Sequence, residues 1–104
     1  MNLQNNMLLK NLISFIPEAK KKIKITGLST NSKDVKKGNI FFAIKGNNNN
    51  GEKFIEEAIN KGASVIIASK NFKYKNDKIF IIKKKNIRNF VSELSSKFYK
   101  LKPK

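Results

Sequence analysis

The sequence predicts an α/β domain in which a small mixed or mostly parallel sheet is flanked by helices. Three observations carry this. Apolar runs of strand length recur at residues 40–44, 64–68 and 79–82. Segments with apolar side chains at helical spacing alternate with them. Turns rich in glycine, asparagine and lysine separate the two kinds of segment. Strands alternating with helices give layered folds with a largely parallel sheet, since each connection can return across one face of it.

In chain order, the apolar residues Leu8, Leu9, Leu12, Ile13 and Ile16 have helical spacing, so a first helix is expected over Met7 to Ile16, stopped by Pro17. Glu18 to Lys22 is a charged connector. Ile23, Ile25 and Leu28 alternate with polar residues as a strand with one wet face, ending at Thr30 to Ser32. Asp34 to Gly38 is a turn, with Gly38 suited to a left-handed position. Ile40 to Ile44 is continuously apolar, the mark of a central strand buried on both faces. Phe54, Ile55, Ala58 and Ile59 define a short amphipathic helix that Gly62 terminates. Ser64 to Ala68 and Ile79 to Ile82 are further strands, with a polar loop at Ser69 to Lys78 between them. Asn86 caps a last helix whose stripe is Ile87, Phe90, Val91, Leu94 and Phe98.

With 104 residues, the chain has the length of one domain, which buries about two thirds of its unfolded surface. Residues 1–100 are read as that domain and 101–104 as the start of a linker to a further domain. The absence of Cys and His excludes disulfides, Cys/His zinc sites, cysteine and serine–histidine nucleophiles, and the usual neutral-pH proton shuttle. Apolar runs fall far short of the ~20 residues that span a bilayer. Residues 1–6 lack the pattern of a secretory signal. A cytoplasmic protein with no membrane partner is expected.

A formal charge of +16 points first to nucleic acid, since clustered cations release counterions from phosphates. Arg88 is the only arginine, however, and phosphate and base recognition favour the bidentate arginine fork. Lys, Asn and Ile are together what A/T-rich codons encode, so genome composition accounts for much of the charge.

Candidate functional residues concentrate between Gly27 and Gly51. In an open α/β sheet, ligands bind at the carboxyl ends of the strands. Thr30 and Ser32 end one predicted strand, and Lys45 to Gly51 follow another. If those strands are neighbours, both loops face one cleft. Thr30 and Ser32 supply hydroxyls, and Asn47, Asn48 and Asn49 supply amides that donate and accept. Gly46 and Gly51 permit close backbone approach, and Lys33 and Lys45 are candidates to neutralise phosphate. The set suits a nucleoside diphosphate, with amides on the base and hydroxyls and lysines on the pyrophosphate. The same residues also read as turn chemistry and a compositionally biased loop. There is no Gly-Lys-Ser/Thr phosphate loop and no Gly-x-Gly-x-x-Gly. Glu56 and Glu57 read as a solvated helix face, with Glu52 favouring the helix start. No residue is assigned a catalytic or metal-binding role.

Taken in order, Asn31-Ser32-Lys33, Gly38-Asn39-Ile40-Phe41-Phe42-Ala43, Gly46 through Asn50-Gly51, Phe54, Ala58-Ile59, Gly62-Ala63 and Val65-Ile66-Ile67 resemble the N-terminal domain of Mur ligases. The likeness runs from Leu8-Leu9 to Pro103, and within the family it is greatest to the branch that adds the third peptide residue to UDP-MurNAc-L-Ala-D-Glu. Asn31 stands for the family's usual acid, Lys33 for its Arg and Asn50 for its Asp.

The resemblance implies that the chain holds the UDP end of that substrate through Thr30, Ser32, Asn47, Asn48 and Asn49. ATP and Mg2+ would act in separate domains of the same polypeptide, forming an acyl-phosphate that the incoming amine attacks. The chain alone, with no cofactor of its own, is expected not to be catalytic. The ligase adding D-Ala-D-Ala is the rival within the family. Outside it, the rival is a small basic RNA-binding domain stacking bases on Phe41, Phe42, Phe72 or Tyr74.

Overall fold

The computed structural model describes residues 7–44, 51–70, 72 and 76–101, with the side chains of 51 and 52 left aside. The elements are β1 (Met7–Leu8), α1 (Leu9–Leu12), β2 (Lys24–Ile25), β3 (Gly27–Ser29), β4 (Asn39–Ala43), α2 (Gly51–Asn60), β5 (Val65–Ser69), β6 (Phe80–Lys84) and α3 (Ile87–Leu101). β3, β4, β5 and β6 form a four-stranded sheet in that spatial order, every pair parallel. β1 and β2 form a separate antiparallel pair.

β4 is buried at all five positions, so its period-two alternation feeds two cores. Ile40 and Phe42 point to one face and join Val65, Ile67 and Ile82 beneath α1 and α3. Phe41 and Ala43 point to the other and join Ile66 and Ala68 beneath α2. Register keeps the sets apart, because Ile40 pairs with Val65 and Phe41 with Ile66. The predicted stripe of α3 is correct, with Ile87, Phe90, Leu94 and Phe98 all buried. Asn86 Oδ1 accepts the Asn89 N–H at 3.2 Å, as the predicted cap requires.

Two expectations need correction. The first helix ends at Leu12, with Ile13 already extended at φ −131° and ψ 123°. Met7 and Leu8 pair instead with Ile25 and Lys24, leaving a segment too short to propagate a helix by itself. Ile13 and Ile16 still reach the core, from irregular chain. The strand expected from Ile23 onward is also broken, at Thr26. There the N–H donates to Gly38 O at 3.0 Å and the hydroxyl to Lys37 O at 2.7 Å, transferring the chain from one sheet to the other.

Gly38 has φ +89° and Gly62 φ +110°, the left-handed region that favours glycine. They meet directly, Gly38 N–H donating to Gly62 O at 2.8 Å. Nearby, Asn39 is buried and bonds at both ends of its amide. Oδ1 accepts the Lys36 N–H at 3.0 Å, and Nδ2 donates to Thr26 Oγ1 at 3.1 Å. These contacts gather the amino end of the sheet, opposite the candidate site.

Candidate functional site

Because β3 and β4 are parallel neighbours, the chain leaving Ser29 and the chain leaving Ala43 emerge side by side at the carboxyl end of the sheet. The strands are thus neighbours, as a shared cleft requires. A cleft of about 390 Å³ opens there, lined by Thr30, Asn31, Ser32, Phe41, Ala43, Ile44, Phe54 and Phe72. Its floor is apolar and aromatic, and its described polar wall is Thr30 to Ser32.

That wall is built by local hydrogen bonds. Ser29 Oγ donates to Asn31 O at 2.8 Å and accepts the Asn31 N–H at 3.2 Å. Asn31 Oδ1 accepts the Lys33 N–H at 2.9 Å, capping a short 3-10 turn over Ser32–Asp34. An Asp at position 31, the residue that the resemblance leads one to expect, would supply the same acceptor, so Asn31 leaves this cap in place. The turn lies against α2, with Val35 in the core on that face. Elsewhere in the lining, Phe72 is fixed by its N–H to Ser69 O at 3.1 Å and by Lys83 Nζ, which donates to Phe72 O.

Of the predicted contacts, Thr30 and Ser32 line the cleft. Thr30 is exposed, whereas Ser32 is only 4% exposed. Lys33 is exposed and is not among the lining residues. Lys45, Asn47, Asn48 and Asn49 lie outside the described residues. Phe41 and Phe42 are 2% and 0% exposed, which removes them as faces for stacking bases. Phe72 is buried in the cleft lining, and Tyr74 lies outside the described residues.

Glu57 departs from its reading as a solvated position. Glu56 is exposed, but Glu57 is half-buried and its Oε1 accepts the Ser32 hydroxyl at 2.7 Å. The two residues are 25 apart in sequence, and only the docking of α2 beside the 3-10 turn joins them. The one legible signal is that Glu57 precedes the buried Ala58 on the apolar edge of α2.

No group of three or more His, Cys, Asp or Glu that could hold a metal occurs among the described residues. No Gly-Lys-Ser/Thr occurs in the sequence. No described helix is long and apolar enough to cross a membrane.

Residues 24–99 match the model of the Mur ligase family, catalytic domain. The chain is 43% identical over 79 residues to the UDP-N-acetylmuramoyl-L-alanyl-D-glutamate--2,6-diaminopimelate ligase of Clostridium tetani, a match covering 74% of this chain and 16% of the relative. The enzyme of the same name from Rickettsia montanensis is 41% identical over 81 residues, covering 78% and 16%. The chain therefore spans about a sixth of the length of these relatives. In fold it is similar to MurF from Acinetobacter baumannii, with a TM-score of 0.59 at 20% identity over 82% of this chain and 17% of that one. A family match over most of the chain, close relatives and the shared α/β architecture lead to one conclusion: the chain belongs to the Mur ligase family, as its N-terminal domain.

Proposed function

We propose that this chain is the substrate-holding domain of an ATP-dependent, cytoplasmic ligase of peptidoglycan biosynthesis, one that adds the third residue to UDP-MurNAc-L-Ala-D-Glu. The observation that carries the reading is the cleft at the carboxyl ends of β3 and β4, with Thr30 and Ser32 on its wall. The relatives' names supply the substrate and point to 2,6-diaminopimelate as the added residue. The chain's part is to orient the nucleotide end, raising the effective concentration of the distant carboxylate at a reaction centre elsewhere in the polypeptide. ATP and Mg2+ would be held there, not here.

Within the cleft, the apolar floor, where Phe54 is half-buried over the buried Phe41 and Phe72, suits uncharged base and sugar better than the pyrophosphate. Apolar walls favour flat uncharged groups and penalise desolvated anions. Asn47, Asn48 and Asn49 are proposed as further contacts, and Lys33 and Lys45 as cations toward the diphosphate.

An NMR titration of the labelled chain with UDP-MurNAc-L-Ala-D-Glu tests this. Saturable shifts at Thr30, Ser32 and Phe54 are expected, with Ser32→Ala weakening binding about five- to tenfold, the worth of one hydrogen bond, while amide dispersion is kept. Equal affinity in Ser32→Ala would count against the assignment.

A further inference from the structure

We infer that Glu57 is a positioning residue that makes Ser32 a hydrogen-bond acceptor toward the ligand, so that this wall of the cleft selects an uncharged N–H or O–H donor of uridine rather than a phosphate oxygen. The inference rests on the reading of the cleft as a UDP site.

A serine hydroxyl has one proton and two lone pairs, and a carboxylate can only accept. The 2.7 Å contact between Ser32 Oγ and Glu57 Oε1 therefore consumes the single Ser32 proton. What remains for the cleft is acceptor capacity, and no described residue donates to that oxygen. Glu57 is not among the lining residues; it stands behind Ser32 on α2, itself held by the buried Ile55 and Ala58. Ser32 is 4% exposed, so water competes little for its remaining lone pairs.

Charge acts in the same direction. A carboxylate one hydrogen bond behind the wall repels a phosphate brought against Ser32, in a setting where burial weakens screening. Hydroxyl and amide groups supplied by Thr30 and Asn31 do not reverse that field. Two groups on uridine meet the requirement, the imide N–H of the base and the ribose hydroxyls.

The test compares UDP with its N3-methyl, 2′-deoxy and 3′-deoxy analogues, measuring dissociation constants by NMR or calorimetry on the wild-type chain, Glu57→Ala, Glu57→Gln and Ser32→Ala. In the wild type, one analogue should bind about tenfold more weakly than UDP, which identifies the donor, since an unpaired buried acceptor costs about that factor. Glu57→Ala frees the serine proton to rotate, and the discrimination should fall below about twofold. Glu57→Gln, whose carbonyl still accepts, should retain it.

A merely structural Glu57 would weaken all four ligands alike and leave their ratios unchanged, which would overturn the inference. A wild type that ranks the four equally would overturn it too. If Glu57→Ala fails to fold, loss of discrimination in Glu57→Gln would overturn the inference and its retention would support it. If Ser32→Ala binds UDP as tightly as wild type, the UDP reading of the cleft itself fails, and the inference falls with it.

Discussion

Ser32 and Gly62 show how much a single residue decides here. Ser32 is one of several hydroxyls in the 27–51 stretch, and its sequence context marks it as a strand-end residue available to a ligand. Its bond to Glu57 changes which half of its hydrogen-bonding capacity faces the cleft, a matter no local pattern encodes. Gly62 is the opposite case. A helix followed by Lys-Gly-Ala announces a left-handed stop, and φ +110° fulfils it. A Cβ at Gly62 would meet Lys37 Cα at 2.7 Å, and backbone cannot swing aside as a side chain can. Gly62→Ala should therefore destabilise the fold by about 2 kcal/mol or more, combining left-handed strain with the clash; urea unfolding monitored by circular dichroism would measure it.

Among the elements, long periodic segments were the most legible. α3 and α2 have the predicted stripes, and β4 the predicted two-sided burial, because each pattern states how many faces the element buries. The first helix was misread. Leu9, Leu12, Ile13 and Ile16 are all buried, as helical spacing suggests, yet helix persists only to Leu12. Apolar spacing reports burial, and an irregular chain pinned by Leu9 N–H to Ile23 O at 2.8 Å buries the same residues. The break between β2 and β3 likewise rests on Thr26. Replacing Thr26 by Val, of nearly equal shape, removes the donor to Lys37 O and the acceptor for Asn39 Nδ2. A loss of about 1–3 kcal/mol is expected for the unpaired amide of the buried Asn39, read by chemical denaturation. An unchanged midpoint would show that the sheet switch is held by backbone alone.

For the molecule as a whole, the two cores share β4 and β5, so neither face can melt without exposing the other. Leu94→Ala on one face and Ile55→Ala on the other should each cost about 2–5 kcal/mol and lower one common transition, seen identically by far-ultraviolet circular dichroism and tyrosine fluorescence. Two separated transitions would refute that coupling. The sequence by itself determined the α/β class, the order of the main strands and helices, the two glycine stops and the placement of Thr30 and Ser32 at a strand end. These depend on local periodicity and on backbone preferences that each segment carries alone. Only the tertiary structure decided the all-parallel order β3 to β6, the register that sets Ile40 against Val65 and Phe41 against Ile66, the truncated first helix and the partnership of Ser32 with Glu57. Each of these arises from groups distant in the chain that meet when elements dock, and a contact between residues 25 apart leaves no trace in either segment's own pattern.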